Sequence, residues 1–167
     1  MDLKTFSNAL QTSSLGDYVA SSPVAFPLLE AIHVLAIVTV FGTIAMMDLR
    51  LLGLTSANRA VTAVSNDSLG LTWGAFVVAL ITGSLLFTSK AGSYTVNPYF
   101  QWKMVLILLA GLNMAIFHAF IWKGVAAWDA GSPIPPAAKL AGALSLGFWV
   151  LVVFCGRVIG FTLGVYI

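Results

Sequence analysis

LLEAIHVLAIVTVFGTIAMMDLRLLG, residues 28–53, decides the fold. From Ala31 to Met47 it carries no Asp, Glu, Lys or Arg, and one histidine breaks its apolar run. A helix needs about 20 predominantly apolar residues to cross the hydrocarbon of a bilayer, so this stretch reads as a transmembrane span. It begins near Val24, with Pro23 and Pro27 at its start, where proline is tolerated, and continues as helix to about Leu54.

Working outward, three more stretches have the same character. Together the spans cover about 24–54, 69–88, 98–123 and 138–166, with Asn66, Asp67 and Ser68 as capping candidates before the second. The breaker run 131–136 precedes the fourth. Of the 167 residues 59% are hydrophobic and 8% charged, against about 25% charged in soluble domains. The expected fold is therefore all-α: one domain, an integral membrane four-helix bundle whose main partner is the lipid bilayer. Leu3, Phe6 and Leu10 recur at helical spacing, with Asp2, Lys4, Ser7 and Gln11 turned away, which predicts a short N-terminal interfacial helix. A net charge of +2 argues against nucleic acid, and the single Cys155 excludes an intrachain disulfide or a CxxC metal site.

An even number of crossings puts both termini on one side, called here side A. Side A carries Lys4 and Lys90; side B carries Arg50, Arg59, Lys123 and Lys139. The positive-inside tendency favours side B as cytoplasmic, hence both termini outside. Gly156, Gly160 and Gly164 on the last span, with Gly70 and Gly74 on the second, read as close-packing surfaces within the bundle, while permitting a homo-oligomer. Trp102, Tyr99, Trp122, Trp128 and Tyr166 fall near span ends, as an aromatic belt does. Asp48 and Arg50 read as a solvated or headgroup-paired helix end, and Asn113 as a hydrogen bond across helices.

An ionisable group in hydrocarbon costs roughly 2.5 to 3.5 kcal/mol on insertion scales and is a functional-site hypothesis by default. Counting about 1.5 Å per residue from each span's midpoint puts His33 about 6 Å, Arg157 about 7 Å, Glu30 about 10 Å and Lys103 about 13 Å toward side A. These four converge in one leaflet, where they make either a cofactor site or an ion-pair network fastening helices. His118 lies about 9 Å toward side B, too far in depth from His33 for one haem to bridge both simply. The two histidines are the candidate metal ligands. His33 suits an axial haem ligand, with Arg157 and Lys103 for the propionates and Glu30 as an orienting group. His118 reads more simply as a hydrogen-bonded packing histidine. No serine or cysteine nucleophile with its base is evident.

The stretch 28–53 quoted above and NPYFQWKMVLILLAGLNMAIFH (residues 97–118) resemble an uncharacterised family of four-helix bacterial membrane proteins. They are also distantly similar to the copper-resistance protein D family and the bacterial four-helix protoporphyrinogen oxidases. The resemblance rests on a histidine early in the first helix, matched by His33, and a lysine opening the third, matched by Lys103. It implies haem or porphyrin binding at those positions and a bacterial inner membrane. The chain departs from the oxidases where it reads MMDLRLLG (residues 46–53) in place of a second histidine. The expectation is a small haem-b-binding protein in electron transfer, served by a redox partner protein, and a membrane oxidoreductase if it is an enzyme. Metal handling with copper and a non-catalytic subunit are the alternatives.

Overall fold

The computed structural model describes residues 3–166 and contains helices and turns, with no strand among them. Two short helices, α1 (Leu3–Gln11) and α2 (Ser14–Ser21), precede the first long helix α3 (Ala25–Leu52). Then come α4 (Val61–Ser89), the short α5 (Ala91–Val96), α6 (Pro98–Ile116) and α7 (Pro136–Thr162). A π-helical turn (Phe117–Ile121) and a 3-10 turn (Trp122–Ala127) extend α6. Helices α3, α4, the extended α6 and α7 are the four segments long and apolar enough to cross a membrane. At about 1.5 Å per residue, the 28 residues of α3 reach some 42 Å, enough for the hydrocarbon and both interfaces.

The ends of these helices follow from local chemistry. Gly53 closes α3 in the left-handed region (φ 77°), and Leu54 N–H reaches back to the Leu49 carbonyl at 3.0 Å. Asn97 starts α6: its Oδ1 accepts from Tyr99 N–H at 2.9 Å, and its Nδ2 donates to the Thr162 hydroxyl at 3.0 Å, joining α6 to the end of α7. Helix α4 starts eight residues before the expected position 69. Its first turn is capped from a distance by Asp129, so Asn66, Asp67 and Ser68 lie inside the helix rather than before it.

Helix α3 packs on both α4 and α7, and α6 packs on α7; α4 and α6 form no comparable seam among the described residues. The surface of α4 that meets α3 is a stripe of small and hydroxyl residues, including Ser68, Ala75, Ala79 and Thr82. Such a stripe lets backbones approach and hydroxyls bond across helices, as Thr72 and Thr43 do at 2.8 Å. The expected glycine stripes do not serve this purpose. A Cβ at Gly70, Gly74, Gly156, Gly160 or Gly164 would meet nothing within 4 Å, because those positions face away from the packed seams.

The amphipathic helix α1 forms as expected and lies against α5 and the side-A end of α4. Its orientation differs in one respect. Ser7 is buried while Phe6 stays half exposed, because the helix turns polar groups toward the protein, as in the bond from Gly92 N–H to the Gln11 carbonyl oxygen at 3.1 Å. Trp128 is buried in the side-B core with Phe117 and Leu51, and so does not belong to an interfacial belt.

Candidate functional site

His33 sits on the inner side of α3, half-buried, with Nδ1 3.0 Å from the Thr82 hydroxyl oxygen of α4. The tautomer follows from the donor count. The Thr82 hydroxyl donates to the Val78 carbonyl at 2.7 Å, which leaves its oxygen as an acceptor for the ring N–H. Nδ1 therefore carries the proton, and Nε2 keeps its lone pair. Gly83 makes the approach possible, since a Cβ there would lie 2.8 Å from His33 Cε1.

Lys103, half-buried on α6, lies within electrostatic range of His33 and of Cys155. Its ammonium also stands over the Phe100 ring, 5.0 Å from the centroid. Glu30 and Arg157 are both exposed at the helix surface. Arg157 stacks on Phe161 of its own helix at 4.7 Å. Glu30 acts on Tyr94 of α5, whose hydroxyl is pushed above the ordinary tyrosine range first by burial and then by that negative charge. The structure thus brings His33 and Lys103 into one interior region, and no hydrogen bond or ion pair joins Glu30 or Arg157 to them.

The placement of Glu30 and Arg157 has a structural cause. Gly142 of α7 rests directly on α3, its ideal Cβ 3.1 Å from Leu51 Cβ and 3.2 Å from the Asp48 carbonyl oxygen. Gly160 lies 18 residues on, about five full turns at 3.6 residues each, and so presents the same face. Yet it meets nothing within 4 Å. Helices α3 and α7 are therefore in contact on side B and diverge toward side A. By the same 18-residue step, Glu30 shares the face of Asp48, whose backbone meets Gly142 of α7. Glu30 and Arg157 stand exposed at the open end of this fork, while His33 and Lys103 are half-buried.

His118 belongs to the other half of the membrane. It lies in the π turn, and its Nδ1 donates to the Met114 carbonyl at 2.9 Å. The ring is exposed rather than packed and lines a cleft of about 210 Å³ that also receives Asp48, Thr43, Thr72 and Asn113. Asp48 and Arg50 are not a solvated helix end: they are 5% and 4% exposed. Arg50 turns from the cleft, its Nε donating to the Arg59 carbonyl at 2.9 Å, whereas one Asp48 oxygen, Oδ2, has no partner. Asn113 bonds across helices as expected, donating to the Ala141 carbonyl at 2.9 Å.

Among the described residues no group of three or more His, Cys, Asp or Glu side chains gathers in a way that could hold a metal ion. His33 is thus a single oriented imidazole. Compared with family models, curated proteins and solved structures, the chain finds no match.

Proposed function

We propose that this chain is a small b-type membrane cytochrome of a bacterial inner membrane, with both termini outside, which binds haem through His33 and passes electrons to a redox partner. The observation that carries this reading is the orientation of His33: its ring is held at Nδ1 by the Thr82 hydroxyl, which leaves Nε2 for a ligand. Lys103 beside it, and Arg157 at the mouth of the α3–α7 fork, are the cations suited to propionate carboxylates. Glu30, exposed near Tyr94, has the role of balancing charge at the mouth rather than orienting the ring, a task that Thr82 already fulfils. Bound haem supplies one-electron chemistry; ligation, burial and charge balance come from the chain and set the potential. Copper handling has less to rest on, because no multi-ligand set gathers among the described residues.

The test is an absorption spectrum of the protein purified in detergent from haem-replete cells. A Soret band at stoichiometric intensity, sharpening with α and β bands on reduction, is the expected result. A colourless, folded protein under those conditions would remove the proposal.

A further inference from the structure

The second cleft lies in the side-B half and is independent of the haem reading. Its back wall comes from Asp48 on α3 and Ser145 and Trp149 on α7. Its mouth lies between Leu69 and Trp73 of α4 and Gly111 and Met114 of α6. Those four are exposed, and α4 and α6 form no tight seam there, so the mouth faces lipid rather than water. The volume of about 210 Å³ is more than ten times the roughly 10–15 Å³ that one water needs, enough for a small head group with its apolar remainder in the bilayer.

Hydrogen-bond accounting says what that head group must be. Asp48 is 5% exposed and its Oδ2 is unpartnered. Ser145 of α7 lines the same cleft beside this carboxylate. The hydroxyl protons of Thr43, Thr72 and Ser68 are committed within the chain, to backbone carbonyls or between Thr72 and Thr43. His118 donates its Nδ1 proton to the Met114 carbonyl, so that donor is not free for a ligand. No lysine or arginine is among the lining residues. A cleft with no cation in its lining, its threonine hydroxyl protons committed and one buried carboxylate oxygen left open is completed by a ligand that brings N–H donors and positive charge to that oxygen.

We propose that this cleft binds a membrane-soluble amine: a protonated primary or secondary ammonium on an apolar body, entering sideways between α4 and α6 and pairing with Asp48. Trp73, Phe76 and Trp149 provide aromatic walls suited to the ammonium and the first carbons of its chain. The same ammonium could belong to a free lipophilic amine or to an ethanolamine lipid headgroup.

The experiment uses the full chain in nanodiscs of phosphatidylcholine, with tryptophan fluorescence followed as dodecylamine is added. Dodecanol and dodecyltrimethylammonium serve as probes lacking, respectively, the charge and the N–H donors. Saturable binding of dodecylamine is expected, with both controls at least about tenfold weaker, as is the loss of a hydrogen bond to a charged group. Asp48→Asn should weaken dodecylamine by a similar factor. Gly111→Leu should abolish the response without lowering the unfolding temperature, because a Cβ there meets nothing within 4 Å and the added side chain stands in the mouth. Nanodiscs containing phosphatidylethanolamine identify the source: competition assigns the lipid headgroup, and its absence assigns a free amine. Equal binding of amine and alcohol, or native binding by both folded variants, would overturn the proposal.

Discussion

The His33 ring lies against Gly83 so closely that a single methyl group there would come within 2.8 Å of Cε1. No backbone need move to relieve that clash, because the ring itself can swing away, and with it the bond to Thr82. Gly83→Ala should therefore act as a displaced-ligand variant. The expected result is a bundle that unfolds near the native temperature but has lost haem or shows a shifted reduction potential. Native haem content and potential in that variant would mean that the orientation of His33 does not matter.

The fork between α3 and α7 gives opposite expectations for two glycines on one face. Gly142→Ala pushes a methyl group against Leu51 and Asp48 and should destabilise by about 1 to 3 kcal/mol, the usual cost of overpacking. Gly160→Ala enters open space and should be neutral or stabilising by up to about 1 kcal/mol, as alanine is the better helix former. Unfolding of both variants in mixed micelles checks the pair. Equal destabilisation would show that the helices stay together along their whole length.

Asp129 holds the first turn of α4, with Oδ1 accepting Thr62 N–H at 2.8 Å and Oδ2 accepting the Thr62 hydroxyl at 2.7 Å. The Thr62 backbone bond, followed by the hydroxyl bond, keeps this carboxyl below its usual range. A depressed folded value means stability present above the ordinary carboxylate range of about 3.9 and lost as pH falls through the lowered value. Asp129→Asn should therefore unfold below the native temperature at neutral pH, and the gap should close in acid. A gap independent of pH would deny the role to the ionised carboxylate.

Tyr94 reports on Glu30. Removing the negative charge with Glu30→Gln should bring the Tyr94 hydroxyl part of the way down, with burial keeping it above the ordinary range of about 10. Ultraviolet titration of tyrosinate, with Tyr94→Phe to isolate the signal, measures this. An unchanged titration would place Glu30 too far away to balance charge at the fork.

The four spans were legible because apolar length is a property of composition alone, and lipid-facing residues need no specific partner. Asn113 was legible for a related reason, since an amide in hydrocarbon must bond across helices and does so to Ala141. Depth counting placed His33 and Arg157 at nearly one level and Glu30 and Lys103 in the same leaflet, but it carries no azimuth, so it could not foresee that Glu30 and Arg157 stand at the open edge. Asp48 was hidden by its position close to the end of α3. What buries it is the contact of Gly142 with that turn, a tertiary event. A signal was nevertheless present: Ser65, Ser68 and Thr72 recur every three or four residues on one face of α4 and line the same cleft. Attention to glycine alone passed over this stripe of small polar residues, which is the surface that α4 turns to α3.

The most direct measurement of the central claim is the reduced-minus-oxidised spectrum of His33→Ala beside that of His118→Ala, at equal amounts of folded protein. A haem ligated by His33 predicts loss of the Soret band and α band in the first variant and their retention in the second. Retention of both bands after His33→Ala, or their disappearance only after His118→Ala, would contradict it.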